Sequence, residues 1–338
     1  MWVRRALRRG LVIPAHPLAL TARRQLDERR QRALTRYYLD AGAGGLAIGV
    51  HTTQFAIHEP KRGLLYSVLQ LGIDTVCDWR GADKRPVMIA GVIGRTPQAV
   101  REARLARDLG YDAVLLSLAA LPRATDATLI AHARAVAEVI PVMGFYLQSA
   151  VGGRVLGYSF WRKFAEIVNV VAIKIAPFDR YATLDVIRAV VESGRAGEIA
   201  LYTGNDDHIL LDLLTRPMVG GLLGHWAFWT SAAAKLHRDC RALVARGRPI
   251  PRRMMTLAGQ VTEANAAVFD VANRFRGCIP GIHEILRRQG LLAGRWCLDP
   301  NEELSRGQAE EISRVCDAYP HLTDDAFVQG NLDRWLTS

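Results

Sequence analysis

The sequence has no apolar run approaching the roughly 18 residues that a membrane-spanning helix needs, so a helical membrane protein is excluded. Its five cysteines (Cys77, Cys240, Cys278, Cys297 and Cys316) are odd in number and form no CxxC pair. That pattern argues against a disulfide framework and against structural zinc. Lysine is scarce: only Lys61, Lys84, Lys163, Lys174 and Lys235 occur among 44 basic residues, the rest being arginine. The arginines are dispersed along the chain, whereas a nucleic-acid footprint would cluster on one element with interleaved aromatics. The formal charge of +11 is therefore assigned to solvated helix faces, and no nucleic-acid partner is expected. Residues 1–9 carry four arginines, but the apolar stretch behind them is short, is broken by Pro14, His16 and Pro17, and lacks a small-residue cleavage site. The expectation is a cytoplasmic chain with no signal peptide and no membrane partner. A Gly-rich GxGxxG turn after an early strand is also missing, since Gly42, Gly44, Gly45 and Gly49 precede or fall inside the second strand candidate. This counts against a dinucleotide-binding doubly wound sheet.

What is present is a two-beat pattern repeated eight times. Short, nearly continuous apolar runs alternate with longer stretches of helical period, the signature of βα units around a parallel sheet. The strand candidates are residues 11–15, 45–50, 86–92, 113–118, 142–147, 170–176, 199–203 and 219–223. Helical stretches include 21–41, 97–109, 125–139, 160–167, 182–193, 206–214 and 231–246, with Thr21, Thr96, Asp126 and Asp206 as capping candidates. Eight such units match the size of a (β/α)8 TIM barrel, about 250 residues. The expected organisation is a catalytic barrel over residues 1–249 and a helical region over 250–338, packed on the barrel or on a neighbouring subunit.

In such a barrel the chemistry belongs at the C-terminal ends of the strands. Lys174 stands out because it lies inside the sixth strand run, Val170-Val171-Ala172-Ile173-Lys174-Ile175-Ala176. Burial disfavours the ammonium, and the free amine that results is a nucleophile toward carbonyls. Its setting alone leaves a second reading open, in which Lys174 snorkels from a strand end or pairs with a neighbour such as Asp179. Tyr146, at the end of the fifth strand, offers a phenol on the neighbouring strand for proton transfer, or is an aromatic of the barrel whose hydroxyl has found a partner.

These residues resemble the dihydrodipicolinate synthase / N-acetylneuraminate lyase family of class I aldolase-like barrels, over roughly residues 10–300. The family's motif Tyr-Asn-x-Pro-x-x-Thr-Gly is matched by residues 146–153, keeping Tyr146 and Gly153, and its Gly-Ile-Lys by Ala172-Ile173-Lys174. The two reactive residues are 28 apart, as in the family pattern. Ala90-Gly91-Val92 and Thr203-Gly204-Asn205-Asp206 resemble the family's third-strand and post-seventh-strand stretches. The resemblance implies that Lys174 forms a Schiff base, that Tyr146 carries protons, and that no cofactor or metal is required. It also implies a small 2-oxo acid or sugar acid as substrate and a homotetramer or homodimer.

The family's Gly-Thr-Thr-Gly-Glu loop corresponds to His51-Thr52-Thr53-Gln54-Phe55, which keeps both threonines and loses both glycines and the glutamate. Thr52 and Thr53 are accordingly expected to hold the substrate carboxylate, with His51 and Gln54 reshaping the pocket beside Asn205 and His225. The arginine that synthases use for the second carboxylate is matched by Val151, with Arg154 three residues on as a partial substitute. The relay tyrosine from a neighbouring subunit falls in Ser117-Leu118-Ala119-Ala120-Leu121-Pro122 and is absent. Dihydrodipicolinate synthesis itself is therefore not expected. Two alternatives stand beside the lyase: a metal-dependent hydrolase using His16, His51, His208 and His225, and a catalytically silent ligand-binding relative.

Overall fold

The runs buried on both faces form eight parallel strands in a computed structural model that describes residues 2–81, 85–215, 217–247 and 249–337. The chain opens with helix α1 (Trp2–Arg8), which the strand pattern does not announce. It then alternates β1 (Val12–Pro14), α2 (Glu28–Ala41), β2 (Gly45–Ile48), α3 (Leu65–Arg80), β3 (Val87–Val92), α4 (Thr96–Asp108), β4 (Ala113–Leu116) and α5 (Asp126–Ala137). The second half runs β5 (Val142–Leu147), α6 (Tyr158–Phe164), β6 (Val170–Ala176), α7 (Arg180–Glu192), β7 (Ala200–Thr203), α8 (Ile209–Leu214), β8 (Met218–Leu223) and α9 (Thr230–Arg246). Beyond it lie α10 (Arg252–Val268), α11 (Cys278–Arg288), α12 (Gln308–Ala318), α13 (Asp325–Gln329) and α14 (Leu332–Trp335).

Neighbouring strands pair in parallel from β2 through β8 and back to β1. The remaining seam is closed by an Ala15–Ala47 bridge, with the His16 N–H donating to Ala47 O at 2.9 Å. The architecture is a (β/α)8 TIM barrel followed by C-terminal helices, as the pattern implies.

Two apolar layers result from strand alternation, because successive side chains point to opposite faces. Inside the barrel, Ile13, Ala47, Ile89, Leu115, Met143, Phe145, Ala172, Tyr202 and Leu222 pack together, and Val3 and Leu7 of α1 plug the N-terminal end. The Tyr202 hydroxyl donates to Leu7 O at 2.6 Å and fixes that plug. Outside, Leu46, Val114, Tyr146, Ile173 and Ile175 face the helices.

None of the four capping candidates caps its helix: Thr96 and Asp126 are the first residues of α4 and α5, with Thr125 capping α5, and the starts of α2 and α8 lie further along the chain. Helix α2 begins at Glu28 because residues 21–25 turn back on themselves (Thr21 N–H to Gln25 O, 2.8 Å) and Asp27 supplies the cap, accepting from Arg30 N–H at 3.1 Å. Helix α8 begins at Ile209, so Asp206 is not its cap. The chain end is tied to the barrel through α2, where the Trp335 indole donates to Asp40 at 2.7 Å and the Tyr37 hydroxyl to Asp324 at 2.8 Å.

Candidate active site

Alternation along β6 points Ala172, Lys174 and Ala176 into the barrel and Ile173 and Ile175 out of it. Lys174 is 8% exposed, whereas Lys61, Lys163 and Lys235 are exposed. Among the described residues its Nζ has no carboxylate within 4 Å and no hydrogen-bond partner; it lies 4.5 Å from the centre of the Phe145 ring. Asp179, the sequence-proposed partner, instead caps α7 by accepting from Ala182 N–H at 2.8 Å. Burial drives the Lys174 pKa below the ordinary lysine value, and Asp206 opposes that fall. The stem has room because the facing residue is Gly204: a Cβ there would lie 2.6 Å from Lys174 Cε.

The amine projects into a cavity of about 60 Å³ at the C-terminal mouth of the barrel. Its floor is Ala15, Phe145, Leu147, Lys174 and Ala176, and His51 and Thr52 form one wall. The roof comes from beyond the barrel, with Phe269, Phe275, Cys278 and Ile282. The C-terminal region therefore covers the mouth and does not merely lie against the outer helices. Left-handed backbone at Asp270 (φ 58°), Arg274 (φ 57°) and Phe275 (φ 65°) shapes that roof. Asp270 secures the bend, its carboxylate accepting from Gly277 N–H at 2.9 Å and from Asn273 Nδ2 at 2.7 Å. Phe178, also left-handed at φ 54°, meets Phe275 edge-on at 5.8 Å between ring centres.

Tyr146 does not reach this cavity. Register pairs Phe145 with Lys174 and Tyr146 with Ile175, so Phe145 shares the inward face and Tyr146 takes the outward one. The Tyr146 ring packs on Trp161 (5.3 Å between centres) and its hydroxyl accepts from Leu156 N–H at 3.1 Å. The placement of Tyr146 beside Lys174 expected from the sequence is thereby corrected. The physical cause is a register shift at Val142/Met143: Val142 pairs with Val170 but Met143 with Ala172, which puts one extra residue into β6.

The threonines also stand differently from expectation. Thr53 is buried away from the cavity; its hydroxyl donates to His16 O at 2.6 Å and accepts from Gly49 N–H at 3.0 Å. Thr52 lines the cavity, but its hydroxyl proton goes to Ala15 O at 2.7 Å, which removes it as a donor to a carboxylate. The backbone N–H groups of His51 and Thr52 open a tight turn at His51–Thr53 and donate to no protein acceptor among the described residues.

Of the other pocket candidates, only His51 is at the cavity wall. Burial and the Lys174 charge push its imidazole down to about 4. Gln54, in left-handed backbone at φ 67°, ties the loop to the C-terminal region by accepting from Leu298 N–H at 2.6 Å. Asn205 is committed to Asp212 (3.0 Å), Thr183 (3.1 Å) and Phe178 N–H (3.1 Å). The His225 ring donates to Asn265 Oδ1 at 2.6 Å, outside the cavity. Arg154 is held by Leu121 O (2.8 Å) and Ala124 O (3.0 Å), and among the described residues no arginine lines the cavity.

Asp206, expected from the sequence only as a helix cap and as part of the match at residues 203–206, belongs to the site. It lies against the cavity, and its Oδ1 accepts from His225 N–H at 2.9 Å. Burial raises its pKa, against the pull of that amide and of Lys174. Its position two residues past Gly204, the glycine that faces the Lys174 stem, is the signal that was available.

The four histidines do not converge. His16 directs Nδ1–H to Pro17 O (2.8 Å) and Nε2 to the Thr35 hydroxyl (2.9 Å), His225 is bound to Asn265, and His208 opens α8. Among the described residues no group of three or more His, Cys, Asp or Glu side chains is placed to hold a metal ion.

A buried amine and a buried carboxyl thus stand together at the C-terminal mouth of a TIM barrel, the end where catalytic residues of this fold gather. No family model matches the sequence. Among curated proteins, the chain is 29% identical over 235 residues to a 4-hydroxy-tetrahydrodipicolinate synthase of Marinobacter nauticus, covering 68% of this chain and 74% of that one. A namesake from Syntrophus aciditrophicus is 30% identical over 196 residues, 56% of this chain and 62% of the relative. Solved structures with the same fold include the Acinetobacter baumannii dihydrodipicolinate synthase complexed with pyruvate (TM-score 0.74, 21% identity, 91% of this chain and 98% of the other). The enzyme from Cyanidioschyzon merolae with lysine bound gives a TM-score of 0.77 at 20% identity, covering 93% of this chain and 99% of the other. The chain is thus similar, as a divergent relative, to the dihydrodipicolinate synthase / N-acetylneuraminate lyase family of class I aldolase-type lyases.

Proposed function

We propose that the protein is a Schiff-base lyase in which Lys174 condenses with the ketone of a small 2-oxo acid. The observation that carries this reading is the amine itself: buried, without an ion-pair partner among the described residues, and aimed into a cavity at the catalytic end of the barrel. An amine held in that way spends more time uncharged than one in water, and only the uncharged form attacks a carbonyl. The substrate carboxylate is taken up by the backbone N–H groups of His51 and Thr52, an anion-binding turn that needs no side-chain hydroxyl.

Support for a small oxo acid over a polyhydroxylated sugar acid comes from the lining. Phe145, Phe178, Phe269, Phe275, Val151 and Ile282 leave few polar partners for sugar hydroxyls, each of which would lose hydrogen bonds to water on entry. Among the described residues a second carboxylate finds no arginine at the cavity, which argues against dihydrodipicolinate synthesis. The remainder of the substrate is thus short, uncharged and largely apolar.

The test is borohydride reduction in the presence of a panel of 2-oxo acids and sugar acids. A short 2-oxo acid should produce an irreversible adduct and loss of activity, and Lys174→Ala should form none. Efficient trapping of sugar acids with none of short oxo acids would reject the substrate class, and absence of any adduct would reject the Schiff base.

A further inference from the structure

We propose that Asp206 is the proton carrier for the chemistry at Lys174, a catalytic residue standing in for the phenol that Tyr146 does not supply. The inference rests on the Schiff-base reading above and concerns which group supplies and removes the proton.

The cavity wall holds few alternatives. Apart from Lys174, the side chains there able to exchange a proton are, among the described residues, His51, Thr52, Cys278 and Asp206, while Tyr146 is on the opposite face of β5. The Thr52 proton is committed to Ala15 O. His51 is pushed down to about 4 and is neutral throughout the working range, and burial drives the Cys278 thiol far up, so neither changes charge near neutral pH. The Asp206 carboxyl is raised by burial and held by the backbone of His225 and Gly224, which keeps it at the cavity. The charged groups that bear on it are Lys174 from β6 and its own neighbour Asp207, with Cys278 facing it from α11.

The pairing has an electrostatic logic. Imine formation joins a neutral amine to a ketone carbon. The nitrogen gives up one of its two protons and keeps the other, the oxygen leaves as water carrying two, and the product is a cationic iminium. One further proton is therefore required. If neutral Asp206 donates it, an amine and a carboxylic acid become an iminium and a carboxylate, so the buried pair has zero net charge before and after the step. No isolated charge is created in a low-dielectric cavity, where it would be costly. In aldol cleavage the same carboxylate accepts the proton of the substrate hydroxyl as the carbon–carbon bond breaks. The bonding electrons enter the iminium to give an enamine and the aldehyde departs. Asp206 then returns the proton to the enamine carbon, and water hydrolyses the resulting iminium to release the oxo acid and the amine.

The experiment compares wild type, Asp206→Asn and Asp206→Ser in single-turnover imine formation with pyruvate, quenched with borohydride across a pH series. Asparagine preserves an oxygen for the His225 N–H, and serine serves if the asparagine variant does not fold. Wild type should give a bell-shaped pH profile, since the pair must carry one proton between its two sites. Removal of the carboxyl should slow imine formation by about 10²- to 10⁴-fold, the usual contribution of a positioned acid, and reduce the bell to the single limb of the amine. The adduct at Lys174 should still accumulate on long incubation, so loss of Asp206 is distinguishable from loss of the Schiff base. Imine formation at the wild-type rate with an unchanged profile in either folded variant would overturn the assignment. A wild type that forms no adduct at all would overturn the Schiff-base reading on which it rests.

Discussion

Lys174 and Phe145 are register partners on adjacent strands, and the amine lies 4.5 Å from the centre of the aromatic ring. The ring face favours the charged amine by about 0.5–2 kcal/mol, against the burial that disfavours it. Phe145→Leu retains an apolar wall and removes that attraction. The acid limb of the imine-formation profile should move toward lower pH, by up to about one and a half units, since about 1.4 kcal/mol corresponds to one pKa unit. An unchanged limb, measured by borohydride trapping against pH, would show that the ring does not influence the amine.

Tyr146→Phe separates the motif-based expectation from the geometry. A phenol engaged in proton transfer would cost about 10²- to 10⁴-fold in turnover when removed. The outward-facing Tyr146 instead accepts from Leu156 N–H, so its loss should leave kcat within about threefold and lower stability by about 1–3 kcal/mol through a buried unsatisfied N–H. Turnover and thermal denaturation of the same preparation decide between the two.

The extent to which the site was legible follows from what sequence patterns encode. Runs buried on both faces, such as Val170–Ala176, announce a parallel strand whatever their register, so all eight strands and the burial of Lys174 could be read. Which neighbour faces Lys174 could not. Alternation has a period of two, and a single bulge at Val142/Met143 turns the face shared with the amine from Tyr146 to Phe145 while the 28-residue spacing still matches. The roof was invisible for a different reason: Phe269 and Phe275 reach the cavity through left-handed residues at Asp270 and Arg274, which no helical period encodes. Helix α1 escaped notice because its arginines obscured the Val3 and Leu7 face that plugs the barrel.

Gly204→Ala tests the fit of the lysine stem. The added Cβ would stand 2.6 Å from Lys174 Cε and 2.7 Å from Ala176 Cβ, closer than atoms can approach. Relief requires Lys174 to leave its rotamer, and overpacking of this kind costs about 1–3 kcal/mol. The variant should fold with a reduced melting temperature and lose at least tenfold in trapping rate. Full trapping at unchanged stability would mean that the stem is more mobile than the packing implies.

Thr52→Val addresses the carboxylate site. The hydroxyl donates to Ala15 O, so its removal should cost about 1–3 kcal/mol of stability while raising KM for the oxo acid only slightly, because the backbone amides of His51 and Thr52 remain. A rise in KM of a hundredfold with stability unchanged would assign the hydroxyl to substrate and not to the loop.

At low pH the amine is held as ammonium. Burial brings Lys174 down to about 8 and Asp206 up to about 7, and the pair gains its second proton below that range. Trapping should therefore decline as pH falls below about 7, recover on return to neutrality, and show no loss of far-ultraviolet ellipticity over the same interval. A rate that is constant from pH 5 to pH 8 would be incompatible with a titrating pair at the cavity.

The most direct measurement is peptide mapping by mass spectrometry after borohydride reduction with pyruvate. The account predicts one modified peptide, bearing the reduced pyruvyl increment on Lys174, and its disappearance in Lys174→Ala. An increment on any of the exposed lysines in place of Lys174, or none on any peptide, would contradict it.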